Sequence, residues 1–287
     1  MVAVEATPKV AVYLALLFAT GVCAARWLNQ ALRARASRDE LASSNRALGS
    51  LLLVAAVALA LAQLGRAWAH TVAAVGATEA LVWENLRLMA WESQWGMAWR
   101  TQTACALALV VASLTTRGAS GVGWLVATAL TVACCYAQPL LGHAEGDPPR
   151  IVLHGSHILG AGAWLGTLAA LRFGSRGQPS LAHHLAQFAP LAAAGALTIG
   201  ITGALAAFVY VGLPSGLWNQ PYGRTLLVKI ATAAGVALCG FSNWRRYRGG
   251  VAGVGASARW SWAVTAELWL AVLIVAITAV LTELPHP

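Results

Sequence analysis

Apolar positions along the chain fall into eight runs, near residues 9–27, 47–69, 99–115, 121–141, 151–171, 187–212, 223–243 and 261–282, separated by shorter polar or glycine- and proline-containing stretches. Each run is close to the roughly 20 residues that an α-helix needs to cross the hydrocarbon layer of a bilayer, about 30 Å thick. The pattern predicts an all-α fold, a polytopic membrane bundle of eight transmembrane helices forming one transmembrane domain over residues 1–287. The longest connection, 70–98, carries Leu81, Leu88, Trp91 and Trp95 at seven-, three- and four-residue steps, with Glu84 and Glu92 elsewhere. That spacing suits an external amphipathic helix lying at the interface, its tryptophans at headgroup depth; a lid that docks a partner is the other reading. The first run has only Lys9 ahead of it and ends in "CAARW", which reads as a retained helix rather than a cleaved signal.

Composition agrees: 59% of residues are hydrophobic, only 10% are charged and the mean hydropathy is +0.66, which removes an ordinary soluble domain from consideration. The net charge of +9 is unevenly spread. Arg26, Arg33, Arg35, Arg38, Arg46, Arg117, Arg172, Arg176, Arg245, Arg246, Arg248 and Arg259 lie on one side, twelve of the nineteen basic residues. That side is expected to be cytoplasmic, with both termini periplasmic in a bacterial inner membrane. The basic balance therefore records orientation, and no nucleic-acid partner is implied. All five cysteines fall inside the runs, so neither a disulfide framework nor a zinc pattern is expected. The stretches "QWGMAWRTQTACALAL" and "PYGRTLLVKIATAAGVAL" open runs three and seven alike, which points to two parallel four-helix halves.

The chemistry collects on the external side, where His70, His143, His154, His157 and His286 lie. His154 and His157 are three residues apart and share a helix face with Trp164. Neutral imidazole is a common transition-metal ligand, so this pair is the core of a metal site with His143 as the third ligand and His70 as the fourth. Singly, each also reads as an interfacial histidine bonded to backbone or water. Glu145 and Asp147 could add carboxylate oxygens or simply form a solvated turn, and His183 and His184 on the other side read as interfacial. Lys229 and Glu267 are the deepest charges; counted from the ends of their runs they lie about 8 Å apart in depth, as a buried ion pair or as steps of a transport path. Cys134 and Cys135 are either soft ligands for cuprous ions or core packing. There is no Walker A loop, GxSxG or HExxH, so a transporter-like protein is expected rather than an enzyme.

"GHA" at Gly142 to Ala144, the spacing from His157 to "WLG" at Trp164 to Gly166, "YGRTLLVK" at Tyr222 to Lys229, Asn243 before a basic loop, and Glu267 in a last helix ending at "LTELP" stand in a fixed order. In that order the chain resembles the copper resistance D (CopD) family, with "WGMAWR" at Trp95 to Arg100 extending the likeness upstream. The resemblance implies an eight-helix inner-membrane protein that handles copper ions, works with a small periplasmic copper-binding protein of CopC type and moves copper inward. The chain departs from the pattern at Thr167, where a second glycine is common, and at Phe188 to Pro190. A methionine-rich external segment is lacking: only Met1, Met89 and Met97 are present. Read from the histidines alone, a competing function is a membrane b-type cytochrome holding haem b between His70 and His154 or His157. Lipid is a partner under either reading.

Overall fold

In the computed structural model, residues 2–31, 38–116, 121–142, 146–174, 181–211, 216–248 and 262–285 are described, with the backbone alone at 31, 38–41, 181–186 and 246–248. The chain forms α1 (Val2–Ala31), α2 (Arg38–Val75), a short α3 (Trp83–Trp91), α4 (Gln94–Thr115), α5 (Gly121–Ala137), α6 (Pro148–Ala161), α7 (Thr167–Gly174), α8 (Leu181–Val211), the one-turn α9 (Gly216–Asn219), α10 (Pro221–Arg248) and α11 (Trp262–Leu281). A single π turn, Gly162–Gly166, joins α6 to α7 and makes one crossing of Pro148–Gly174. Among the described residues eight helices are long and apolar enough to cross a membrane, and each overlaps one of the eight runs in the sequence. Among the described residues there is no strand. A bundle of this kind satisfies every backbone group within its own helix, which the apolar layer demands. Threonine hydroxyls follow the same logic: those of Thr131, Thr202 and Thr278 donate to carbonyls four residues back.

Because the helices cross an even number of times, both chain ends lie on one face, here the terminal face, together with α3 and α9. The helix ends near Arg46, Arg172 and Arg245 lie on the opposite, basic face. Helix α1 is the keystone of the packing, touching α2, α5, the π turn, α7 and α11. With α2, α4 and α5 it closes a four-helix ring filled by Val22, Leu52, Leu109 and Trp124, all fully buried. In the other half α6 packs on α8, α8 on α10 and α10 on α11, around a cavity rather than a filled core. Backbones approach closely where α1 crosses the π turn. A Cβ on Gly166 would lie 1.8 Å from the Leu17 carbonyl oxygen, and one on Gly162 2.4 Å from Thr20 Cβ. Small residues at a crossing allow such contact, the usual means of helix association in lipid.

The connection from α2 to α4 departs from the single helix the periodicity suggests. The chain turns at Gly76 (φ 91°), forms α3, and breaks again at Ser93, whose hydroxyl accepts from Gly96 N (2.8 Å) as the cap of α4. Trp95 thus belongs to α4 and stacks on His70, with ring centroids 3.9 Å apart. Leu81, Trp83, Leu88 and Trp91 remain exposed beside polar Glu84, Arg87 and Glu92. The Arg87 guanidinium donates to both Glu84 oxygens and holds that carboxyl below its usual range.

Candidate transport site

The half-bundle cavity, about 740 Å³, opens toward the terminal face. It brings together four of the residues singled out in the sequence: His70 from α2, His154 and His157 from α6, and Lys229 from α10. His143, the expected third ligand, lies outside the described residues, as do Glu145 and His286; the side chains of His183 and His184 do too. Asp147 caps α6 by accepting from Arg150 N, so it serves the turn. At the mouth, Lys9 pairs with Glu283 and the His70 imidazole meets Glu5 (Nδ1 to Oε1, 3.1 Å). Arg66, buried at the rim, donates to Gln138 Oε1 (2.9 Å) and the Leu141 carbonyl (3.2 Å).

The two α6 histidines are held from α8. His154 Nε2 shares a hydrogen bond with the Tyr210 hydroxyl (3.0 Å), and His157 Nδ1 lies 2.8 Å from Thr202 Oγ1. Thr202 commits its only hydrogen to the Thr198 carbonyl (2.6 Å), so its oxygen must accept from His157. This assigns the His157 proton to Nδ1 and leaves Nε2 with a free lone pair, the state a metal ligand requires. Among the described residues, no three of His, Cys, Asp and Glu stand close enough together to hold one ion.

A second cavity, about 800 Å³, lies toward the basic face between α8, α10 and α11. Trp164, on the π turn, lines both cavities and stands where they meet. Its Nε1 donates to Glu267 Oε1 (3.0 Å), while Asn243 Nδ2 donates to Glu267 Oε2 (2.8 Å). The expected ion pair between Glu267 and Lys229 is not formed. Gly240 is the α10 residue beside Glu267, where a Cβ would lie 3.1 Å from Oε1. Lys229 is eleven residues away, about 16 Å along a helix at 1.5 Å per residue. The depth estimate failed because α10 continues for 28 residues, to Arg248, well past the end of its apolar run. Glu267 therefore sits nearer the basic face than its distance from the end of its own run suggests.

Cys134 and Cys135 line neither cavity. Both are fully buried against Val12, Leu16 and Leu59, with Cys135 Sγ 3.5 Å from Thr20 Oγ1, so they pack rather than face a path. Glu5, Lys9, Thr202, Tyr210 and Glu283 join the site without having been singled out. Two signals for them were in the sequence: Glu5 and Lys9 are four residues apart on α1, and Thr202 and Tyr210 eight apart on α8, each pair on one helix face.

The cavities, the divide at Trp164 and the two donors on Glu267 draw most of their residues from the last three crossings. Residues 182–281 match the family model of copper resistance protein D. Through this stretch the chain is similar to the copper resistance D family. The matched stretch supplies Thr202, Tyr210, Lys229, Asn243 and Glu267. His70, His154, His157 and Trp164 lie outside it and enter the site through the fold. No curated protein and no solved structure matches the chain.

Proposed function

We propose that this protein carries copper across the bacterial inner membrane from periplasm to cytoplasm. The terminal face is then periplasmic and the basic face cytoplasmic, as the arginine distribution favours. Copper, released by a periplasmic copper-binding protein of CopC type, enters the first cavity and is bound by His154 and His157, with His143 or His70 completing the set. From there it passes Trp164 to the second cavity, where the Glu267 carboxylate meets the cation before it leaves among the arginines. One observation carries the reading: the His154 and His157 pair and the distant His70 face one cavity, which meets a second cavity bearing a buried carboxylate at a single side chain, Trp164.

The chemistry fits. Neutral imidazole suits copper, and ionisable groups at membrane depth mark ion paths more often than packing. His157→Ala should weaken copper binding to purified protein at least tenfold and abolish copper-dependent uptake into proteoliposomes, while His183→Ala should do neither. Unchanged binding and uptake in His157→Ala would refute the transport site. A Soret band in the purified protein that disappears in His157→Ala would replace copper with haem b.

A further inference from the structure

Lys229 is the anomaly of the first cavity. Lys9 has Glu283, His70 has Glu5, and Arg66 has two oxygen acceptors, but Lys229 makes no hydrogen bond or ion pair among the described residues. Its stem leaves α10 between Leu226 and Ala233, and its ammonium shares the cavity with His157. A cationic cargo arriving alone at the His157 lone pair would be repelled by this charge at low dielectric. The cavity also has room for far more than an ion. Its roughly 740 Å³ exceeds the about 30 Å³ of a water molecule many times over and falls among small-molecule pockets of about 300–1,000 Å³. Its lining is mostly apolar, with Ile158, Ile199, Leu226 and Ile230 around the few polar groups.

We propose that this cavity is a binding site for an organic anion with an apolar body, its charged group on Lys229 and its body along the α8 and α10 walls. The site stands on Lys229 and the apolar walls and does not depend on copper transport. A copper chelate carrying carboxylates and a membrane lipid with an anionic headgroup share this chemistry.

The test uses full-length protein in nanodiscs and two probes of equal length, 11-bromoundecanoate and 11-bromoundecanol, whose bromine quenches tryptophan; Trp95 and Trp164 both line the cavity. The acid should quench saturably and bind at least tenfold more tightly than the alcohol. Lys229→Gln should bring the acid down to the alcohol's level, and Lys229→Arg should keep the preference. Equal quenching by acid and alcohol in the unaltered protein overturns the proposal, and that result needs no variant to fold. A preference that survives in a folded Lys229→Gln protein also overturns it. Repeating the titration in phosphatidylglycerol and in phosphatidylcholine nanodiscs separates the sources: competition by phosphatidylglycerol identifies a lipid, and its absence identifies a soluble anion. Copper titration of the same preparations tells the two readings apart, since lost copper binding with the acid preference intact sinks transport and leaves this site.

Discussion

Glu267 shows how much one buried carboxylate depends on the groups aimed at it. Two donors converge on its two oxygens, Trp164 from the π turn and Asn243 from α10. A hydrogen bond to a charged group is worth about 1.5–3 kcal/mol, so Asn243→Ala should lower stability by about that amount, read as an earlier thermal unfolding midpoint in detergent. Glu267→Gln is worse placed than it looks. Its amide offers one acceptor and one donor group where two donors already point, so it should impair copper uptake more than Glu267→Asp; full uptake by a normally expressed Gln variant would remove any role on the path. At this scale the sequence was informative where helix periodicity decides the outcome: His154, His157 and Trp164 share a face because of their spacing. It was uninformative where depth decides. The level of Lys229 against Glu267 depends on how far α10 runs beyond its apolar residues, and hydropathy does not record that. Thr202 and Tyr210 were missed because a hydroxyl in an apolar helix looks the same whether it bonds backward or across to a histidine.

Among the helices, the crossing of α1 over the π turn sets the frame for the site, since it fixes the rod that carries both histidines and Trp164. Gly166→Ala would drive a methyl group into the Leu17 carbonyl, and backbone cannot step aside as a flexible side chain can. This substitution should destabilise the protein by more than the about 1–3 kcal/mol typical of overpacking, whereas Gly200→Ala, with nothing within 4 Å, should be neutral or stabilising by up to about 1 kcal/mol through helix propensity. Unfolding midpoints of the pair, measured side by side, check this; similar values would mean that the crossing relaxes. The existence and order of the eight helices were legible, because each needs only its own run of apolar residues. The break at Ser93 was not, since the periodic apolar residues run through it, although a serine before a helix-forming stretch is the expected signature of a cap.

At the scale of the whole molecule the two halves differ, a packed ring on one side and a hollow on the other, and nothing local in the sequence distinguishes them. Where the two halves meet is set by pairs of small residues far apart in the chain, such as Gly21 with Gly166. Orientation, by contrast, is a sum over loops: reporter fusions after Arg38 and Arg176 should behave as cytoplasmic and one after Asp147 as external. A cytoplasmic signal at Asp147 would put the histidine cavity on the wrong side of the membrane for import. The π turn at Gly162–Gly166 has a further consequence, a matter of phase. A π turn holds about one residue more than an α turn, so deleting one residue from 162–166 should leave a straight α-helix whose two ends are rotated against each other by about 100°. With α7 anchored on α1, the end that swings is α6, and it carries His154 and His157 away from Tyr210 and Thr202 toward the neighbouring helices or lipid. One surplus residue thus acts as a rotational offset, letting a single rod present its packing surface to one partner and its imidazoles to another.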